Sequence, residues 1–347
     1  MGITAGRLGF FLLAAILSTS ADSAQQTTPP AKSNTDMITL DVVVTPKSGP
    51  PIKGLEQKDF TVLDNKSPVA LTSFQALDER QAPGEVILVI DDVNTGIEHI
   101  ATERSEVDKF LRVEGGRLVH PTAFAFLTDS GIQLQDDFST DGNALSSFFD
   151  QHVVGLQTIR RSGGTYTAIE RFQLSVKALL QLASHETSRP GRKIIVWFSP
   201  GWPLLSGPAI ERQMDIKQKQ QIFSSVVQIS TLLRQSRITL YSIDPSGAGA
   251  LHFQWQSFVK GLTKPTQADY GDMALQVIAT QSGGLVLSSS NDISASLQQC
   301  LADTQVYYEL SFAPPSDNNR DEYHHIEVQV NQSGAIARTR QGYYSQP

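Results

Sequence analysis

The chain of 347 residues has one cysteine, Cys300. No disulfide can close within one copy, and a zinc centre built on cysteines is excluded. The fold must rest on buried apolar side chains, which a chain of this length can supply. Cys300 itself falls in a helical pattern and reads as a small buried hydrophobe. Cationic runs are also missing. Lys and Arg number 28 against 35 Asp and Glu, for a net charge of −7, which argues against a nucleic-acid surface. No apolar run reaches the roughly 18 residues that mark a membrane-spanning helix. A G-x-G-x-x-G after the first buried strand, a G-x-S-x-G elbow and an H-E-x-x-H helix are all absent. These absences remove the usual signals of dinucleotide binding, serine hydrolysis and zinc proteolysis.

What is present falls into segments. Arg7, the apolar run Leu8 to Leu17 and the small residues through Ala24 have the form of a secretory signal peptide over 1–24. Its apolar part is about ten residues, short for a span. The mature protein is expected to begin between Asp22 and Gln26, secreted or periplasmic and with no stable membrane span. An uncleaved N-terminal anchor is the alternative. Residues 25–36, with Pro29 and Pro30, read as a flexible linker. An N-terminal β segment over 37–80 follows, with strands at Ile38–Thr45, Phe60–Leu63 and Val69–Phe74.

From residue 84 to 304 strands alternate with helices. Strands are expected at Val86–Asp91, Ala123–Leu127, Ile132–Leu134, Lys193–Phe198, Ile238–Ile243 and Leu285–Leu287. Helices are expected over Ile100–Val113, Asn143–His152, Thr167–His185, Ile210–Gln235, Asp272–Thr280 and Ile293–Asp303. This alternation implies an α/β fold: a doubly wound, mostly parallel sheet. Residues 305–347 form a C-terminal β segment with alternating runs at Tyr307–Phe312 and His325–Val330 and a last strand at Ala335–Arg340. Short strand groups are marginal alone, so the two β segments are expected to pack as one small antiparallel module.

The most informative stretch is Glu85 to Thr95. An apolar Val/Ile/Leu run stops at Asp91-Asp92-Val93-Asn94-Thr95. Such a run reads as a strand buried on both faces, and open α/β sheets bind ligands beyond the carboxyl ends of their strands. The spacing Asp91-x-x-x-Thr95 resembles the Asp-x-Ser-x-Ser metal-ion-dependent adhesion site of von Willebrand factor A domains, with Val93 replacing the first Ser. Gly163-Gly164-Thr165 before a helix resembles that family's second loop, and the loop Ser199-Pro200-Gly201-Trp202 stands where the family carries an Asp. Further phrases, among them Asp41 to Val44, Tyr241 to Asp244 and Gly342-Tyr343-Tyr344, resemble the related proteins of bacteria of the acidobacterial type.

The resemblance implies a degenerate site in which Asp91, Thr95 and Thr165 hold a metal, with Asn94 and Trp202 facing a protein partner. With so few charged ligands, Mg²⁺ affinity is expected to be weak. Two readings stay open from the residues themselves: a metal centre, or a loop in which Asp91, Asn94 and Thr95 cap the following helix. His324 and His325 are neighbours on a strand and face opposite sides, so joint ligation is not expected. The function expected is a non-enzymatic, exported protein-interaction module binding a protein at the carboxyl edge of the sheet. The alternatives are a structural scaffold with a non-functional metal site and an uncharacterised hydrolase.

Overall fold

In the computed structural model, residues 37–78, 84–152, 159, 164–203, 205, 214–247, 254–288, 290, 292–315 and 319–346 are described. The expected signal peptide and linker and Gly163 lie outside them.

The middle of the chain builds a sheet in the order β11-β10-β9-β5-β6-β7, with β8 also on β6. The strands are β5 (Glu85–Asp91), β6 (Arg117–Thr128), β7 (Gly131–Leu134), β8 (Ser139–Asp141), β9 (Lys193–Phe198), β10 (Ile238–Ile243) and β11 (Val286–Leu287). β5 pairs in parallel with β6 and β9, and β10 in parallel with β9 and β11. β7 and β8 run antiparallel to β6. The continuous apolar run of β5 is explained by what lies on each side of it. Val86, Leu88 and Ile90 pack with Val107, Phe110, Phe149 and Leu297. Ile87 and Val89 point the other way, to Phe172, Leu179, Val226 and Ile278. The first layer draws on helices α1 (Ile97–Leu111), α2 (Gly142–Gln151) and α6 (Ile293–Ala302). The second draws on α3 (Gly164–His185), α4 (Ile216–Gln235) and α5 (Leu275–Gln281).

Three of the boundaries that differ from the periodicity reading show their physical reason directly. β6 starts at Arg117 rather than Ala123, because its first half finds a partner in β8, with Arg117 opposite Asp141. α4 starts at Ile216 because Asp215 and Gln218 form a reciprocal capping box, with Gln218 N–H donating to Asp215 at 2.7 Å and Asp215 N–H to Gln218 at 2.9 Å. The expected strand Val69–Phe74 is broken at Ala70. Its two parts are β3 (Ser67–Val69) and β4 (Leu71–Asp78), and they belong to different sheets.

The ends of the chain meet in two four-stranded sheets, ordered β14-β1-β12-β4 and β15-β13-β2-β3. Their strands are β1 (Ile38–Pro46), β2 (Phe60–Asp64), β12 (Val306–Phe312), β13 (Tyr323–Val330), β14 (Ala335–Arg338) and β15 (Gly342–Tyr344). β1 pairs with β12 from Ile38↔Phe312 to Val42↔Tyr308, and β2 with β13 from Ile326↔Asp64 to Val330↔Phe60. Leu40, Val42 and Phe312 of one sheet share a core with Val62, Ile326 and Tyr343 of the other. The two regions are tied by Arg237, between α4 and β10, which reaches Asp41 at 2.5 Å and Glu309 at 2.6 Å.

Candidate functional site

Asp91 is the last residue of β5 and is fully buried. A carboxylate out of water needs donors, and Asp91 has them. Asn94 gives its backbone N–H at 2.9 Å and its side-chain amide at 2.9 and 3.1 Å. The Trp197 indole N–H donates at 3.0 Å from the neighbouring strand β9, and the Ser199 hydroxyl adds a further bond. Burial raises the Asp91 pKa, and the bonds from Asn94, Trp197 and Ser199 oppose that rise. The Asn94 amide also reaches Ser175 Oγ of α3 at 2.9 Å, and Arg171 of the same helix donates to Asn94 Oδ1 at 3.4 Å.

Asp92 turns to the other side, where its carboxylate lies 3.2 Å from His152 Nε2. The His152 ring stacks on Phe126 at 3.6 Å. Beneath both acids sits Glu103 of α1, also buried. Burial holds its pKa well above the usual range, the charges of Asp92 and Asp91 push it further, and a hydrogen bond with the Thr95 hydroxyl opposes them. The carboxyl edge thus contains acids whose charge is suppressed or matched by protein donors.

The expected site residues are brought together only in part. Asp91, Asn94 and Thr95 form one buried cluster. They do not cap α1, whose N-cap is Gly96 without a side-chain bond. Asp91 instead closes its own loop, with Thr95 N–H donating to the Asp91 carbonyl at 3.0 Å. Thr165 is exposed on the first turn of α3, ten residues before the Ser175 that Asn94 touches, or about 15 Å along the helix. Asn94 and Trp202, expected to face a partner, are both buried. Asn94 is used on Asp91 and Ser175, and Trp202 packs edge-to-face on Trp197 with ring centroids 5.4 Å apart.

A divalent cation of the kind the resemblance implies needs free oxygen ligands. Both Asp91 oxygens accept protein hydrogens, the Thr95 hydroxyl is engaged with Glu103, and Thr165 stands apart. No group of three or more His, Cys, Asp or Glu among the described residues is placed to hold a metal. The residues as arranged do not fit the cation.

The edge has a second feature that periodicity did not single out. The three most exposed large apolar side chains among the described residues are Ile216 at 79%, Tyr166 at 77% and Ile97 at 76%. Each lies in the first turn of a helix, α4, α3 and α1 respectively. α1 leaves from the carboxyl end of β5, and α3 and α4 run back toward the starts of β9 and β10, so all three helix starts lie at the carboxyl edge. Periodicity starts these helices at Ile100, Thr167 and Ile210, which leaves Ile97 and Tyr166 outside them and Ile216 within, so the three helix openings carried no mark. Glu103 was legible, since Val107 and Phe110 place it on the buried face of α1. The Trp197 and Ser175 contacts join residues distant in sequence and carried no local mark.

No protein-family model matches the chain, and no curated protein matches it in sequence. Among solved structures, the chain is similar to several at low identity. Proximal thread matrix protein 1 from the mussel byssus is 13% identical over 63% of this chain, with a TM-score of 0.36. The chain spans 47% of that protein's length. Manganese-loaded Plasmodium vivax TRAP protein is 7% identical over 79% of this chain and 98% of its own, with a TM-score of 0.35. The SpRpn10 VWA domain is 14% identical over 64% of this chain and 98% of its own, with a TM-score of 0.30. The neighbours thus include a VWA domain.

Proposed function

We propose that the protein is an exported, non-enzymatic recognition module of the von Willebrand factor A type, which binds a protein partner at the carboxyl edge of a doubly wound sheet and does so without a bridging metal. The observation that carries this reading is the placement of Ile97, Tyr166 and Ile216 in water at three helix starts around that edge. Large apolar side chains exposed at helix starts around a strand-end edge are what a partner would bury. The Asp91 cluster supports the metal-free part. Protein donors stand where a cation would otherwise neutralise the carboxylate, so the cluster organises the loop that carries the rim. The apolar run Leu8 to Leu17 supports export.

The test is capture of partners from an extracytoplasmic fraction of the native host. Wild-type protein is compared with a variant carrying Ile97→Ser, Tyr166→Ser and Ile216→Ser, each in Mg²⁺ and in chelator. Capture by wild type, unchanged by chelation and lost in the triple variant, is the expected result. Surface substitutions of this kind each alter stability by no more than about 0.5 kcal/mol, so the melting curve serves as the control. Capture that persists in the variant places the surface elsewhere. Capture that needs Mg²⁺ restores the metal reading, and no capture at all favours the scaffold role.

A further inference from the structure

Among the described residues, the three sheets have six end strands, and five of them are short. β3 has three residues with Pro68 at its centre, β15 three, β14 four, β7 four and β11 two. Short end strands and prolines keep the free backbone groups of a sheet from pairing with another chain. β4 is the exception. It runs for eight residues, Leu71–Asp78, ends the order β14-β1-β12-β4 and pairs only with β12.

Its sequence carries no other protection. Leu71-Thr72-Ser73-Phe74-Gln75-Ala76-Leu77-Asp78 has no proline, lysine or arginine, and its one charge is at the last position. The register with β12 is regular from Ser73↔Ser311 to Asp78↔Val306 and shifts only at the Leu71 end. Thr72, Ser73, Gln75 and Ala76 are exposed. Along an antiparallel ladder, alternate residues turn their N–H and C=O groups outward. The free side of β4 therefore presents a row of donors and acceptors about 26 Å long. That row fixes the chemistry of its cover, because an extended backbone matches its spacing.

The side chains select the occupant. A two-fold axis centred on Phe74 sets β4 antiparallel to the same strand of a second copy, with Ser73 opposite Gln75 and Thr72 opposite Ala76. Asp78 then meets Ala70. No two acids face each other, although each chain carries a net charge of −7, and like charges directly opposite would oppose pairing. Phe74 meets its own counterpart beside Phe60 and Tyr308, whose ring centroids lie 5.7 and 6.1 Å from its own. The pairing thus extends an aromatic cluster across the axis. It is also closed. Each copy occupies its one long end strand, and the short ones that remain offer a poor edge to a third copy.

We propose that β4 is an interaction surface for a second copy of this chain, which joins two four-stranded sheets edge to edge. One strand pair buries less than the roughly 1,200 Å² of a standard interface, so the dimer is weak and forms as concentration rises. None of the residues at the carboxyl edge takes part.

The test is sedimentation velocity on the full chain over a range of concentrations, with amide hydrogen exchange on the same samples. Wild type should pass from monomer to dimer, and exchange over Ser73 to Leu77 should slow as it does. The double variant Ser73→Lys, Gln75→Lys sets like charges opposite each other across the axis. Both side chains are exposed, so its melting temperature should be that of wild type. It should stay monomeric, with exchange independent of concentration. Should the variant melt early, concentration-dependent protection of β4 in wild type supports the pairing in its place. Wild type that stays monomeric overturns the proposal: fast exchange at β4 leaves the edge open, and slow exchange assigns its cover to the chain itself. Dimers that persist unchanged in the folded variant overturn it as well, because the contact then lies elsewhere. Assembly beyond the dimer that the variant abolishes rules out the two-fold pairing.

Discussion

Two carboxylates close strands in different parts of the molecule, and both are buried: Asp64 ends β2 in the terminal β region, and Asp91 ends β5 in the central sheet. Asp64 is met by His324 Nδ1 at 2.8 Å and by the Tyr343 hydroxyl at 2.8 Å. The two rings stack on each other at 4.7 Å, and burial with the nearby Asp64 raises the Tyr343 pKa. Asp91 draws on Asn94 in its own loop, then on Trp197 and Ser199 of the next strand and its loop. The solutions are alike in chemistry and opposite in origin. Asp91 begins from a local turn that the tertiary structure completes. Asp64 has donors only because the C-terminal strands fold back against β2. Such acids hold loops and sheets in place, and either could be mistaken for a reactive centre from composition alone.

Substitution should separate the two. Asp91→Ala strands the Asn94 backbone and amide hydrogens, the Trp197 indole and the Ser199 hydroxyl. At about 1–3 kcal/mol for each buried group that finds no water, the loss in urea unfolding is expected to be roughly 3–4 kcal/mol. Asp64→Ala strands His324 and Tyr343, for about 2–3 kcal/mol. A reversed order would show that the β region, and not the loop at the carboxyl edge, depends more on its acid.

A pH titration of stability sharpens the contrast, because Glu103 lies under Asp91 and Asp64 has no such neighbour among the described residues. The folded pKa of Glu103 is raised, so the folded state binds the proton more tightly than the unfolded chain. Its contribution to stability is full below the unfolded value of 4.5 and is lost as pH rises from there toward the folded value, at about 1.4 kcal/mol per unit across that window. Asp91, and Asp272 with its pKa near 7, add in the same direction. Glu103→Gln keeps the shape and a partner for the Thr95 hydroxyl while removing the titration. Chemical unfolding between pH 5 and 8 should show a shallower decline for the variant. An unchanged slope would mean that Glu103 is ionised and solvated in the native protein.

The smallest effect is expected from Trp197→Phe. It removes one of several donors to Asp91 and leaves the ring packing largely in place, at a cost of about 1–2 kcal/mol. A loss as large as that of Asp91→Ala would make the indole the principal support of the carboxylate.

The strands and their order along the chain were legible because period and composition are local. Lys193–Phe198 and Ile238–Ile243 were read with the bounds they have, since buried parallel strands are apolar at every position. The special standing of Asp91 was legible too, because an apolar run stops there. The sheet switch at Ala70 was not, since β3 and β4 differ in their partners and not in their own residues. Thr165 was placed by motif position, and the motif said nothing about the distance along α3.

By itself, the sequence determined the classes of function to set aside, the alternation of strands and helices, and the loop that begins at Asp91. Hydrophobic period, charge and turn residues act between near neighbours and leave a local trace. Only the tertiary structure decided that Asp91 is solvated by protein donors, and that Trp202 is buried while Ile97, Tyr166 and Ile216 stand in water. Each of these is set by which distant side chain fills the adjoining space, and packing of that kind leaves no periodic mark along the chain.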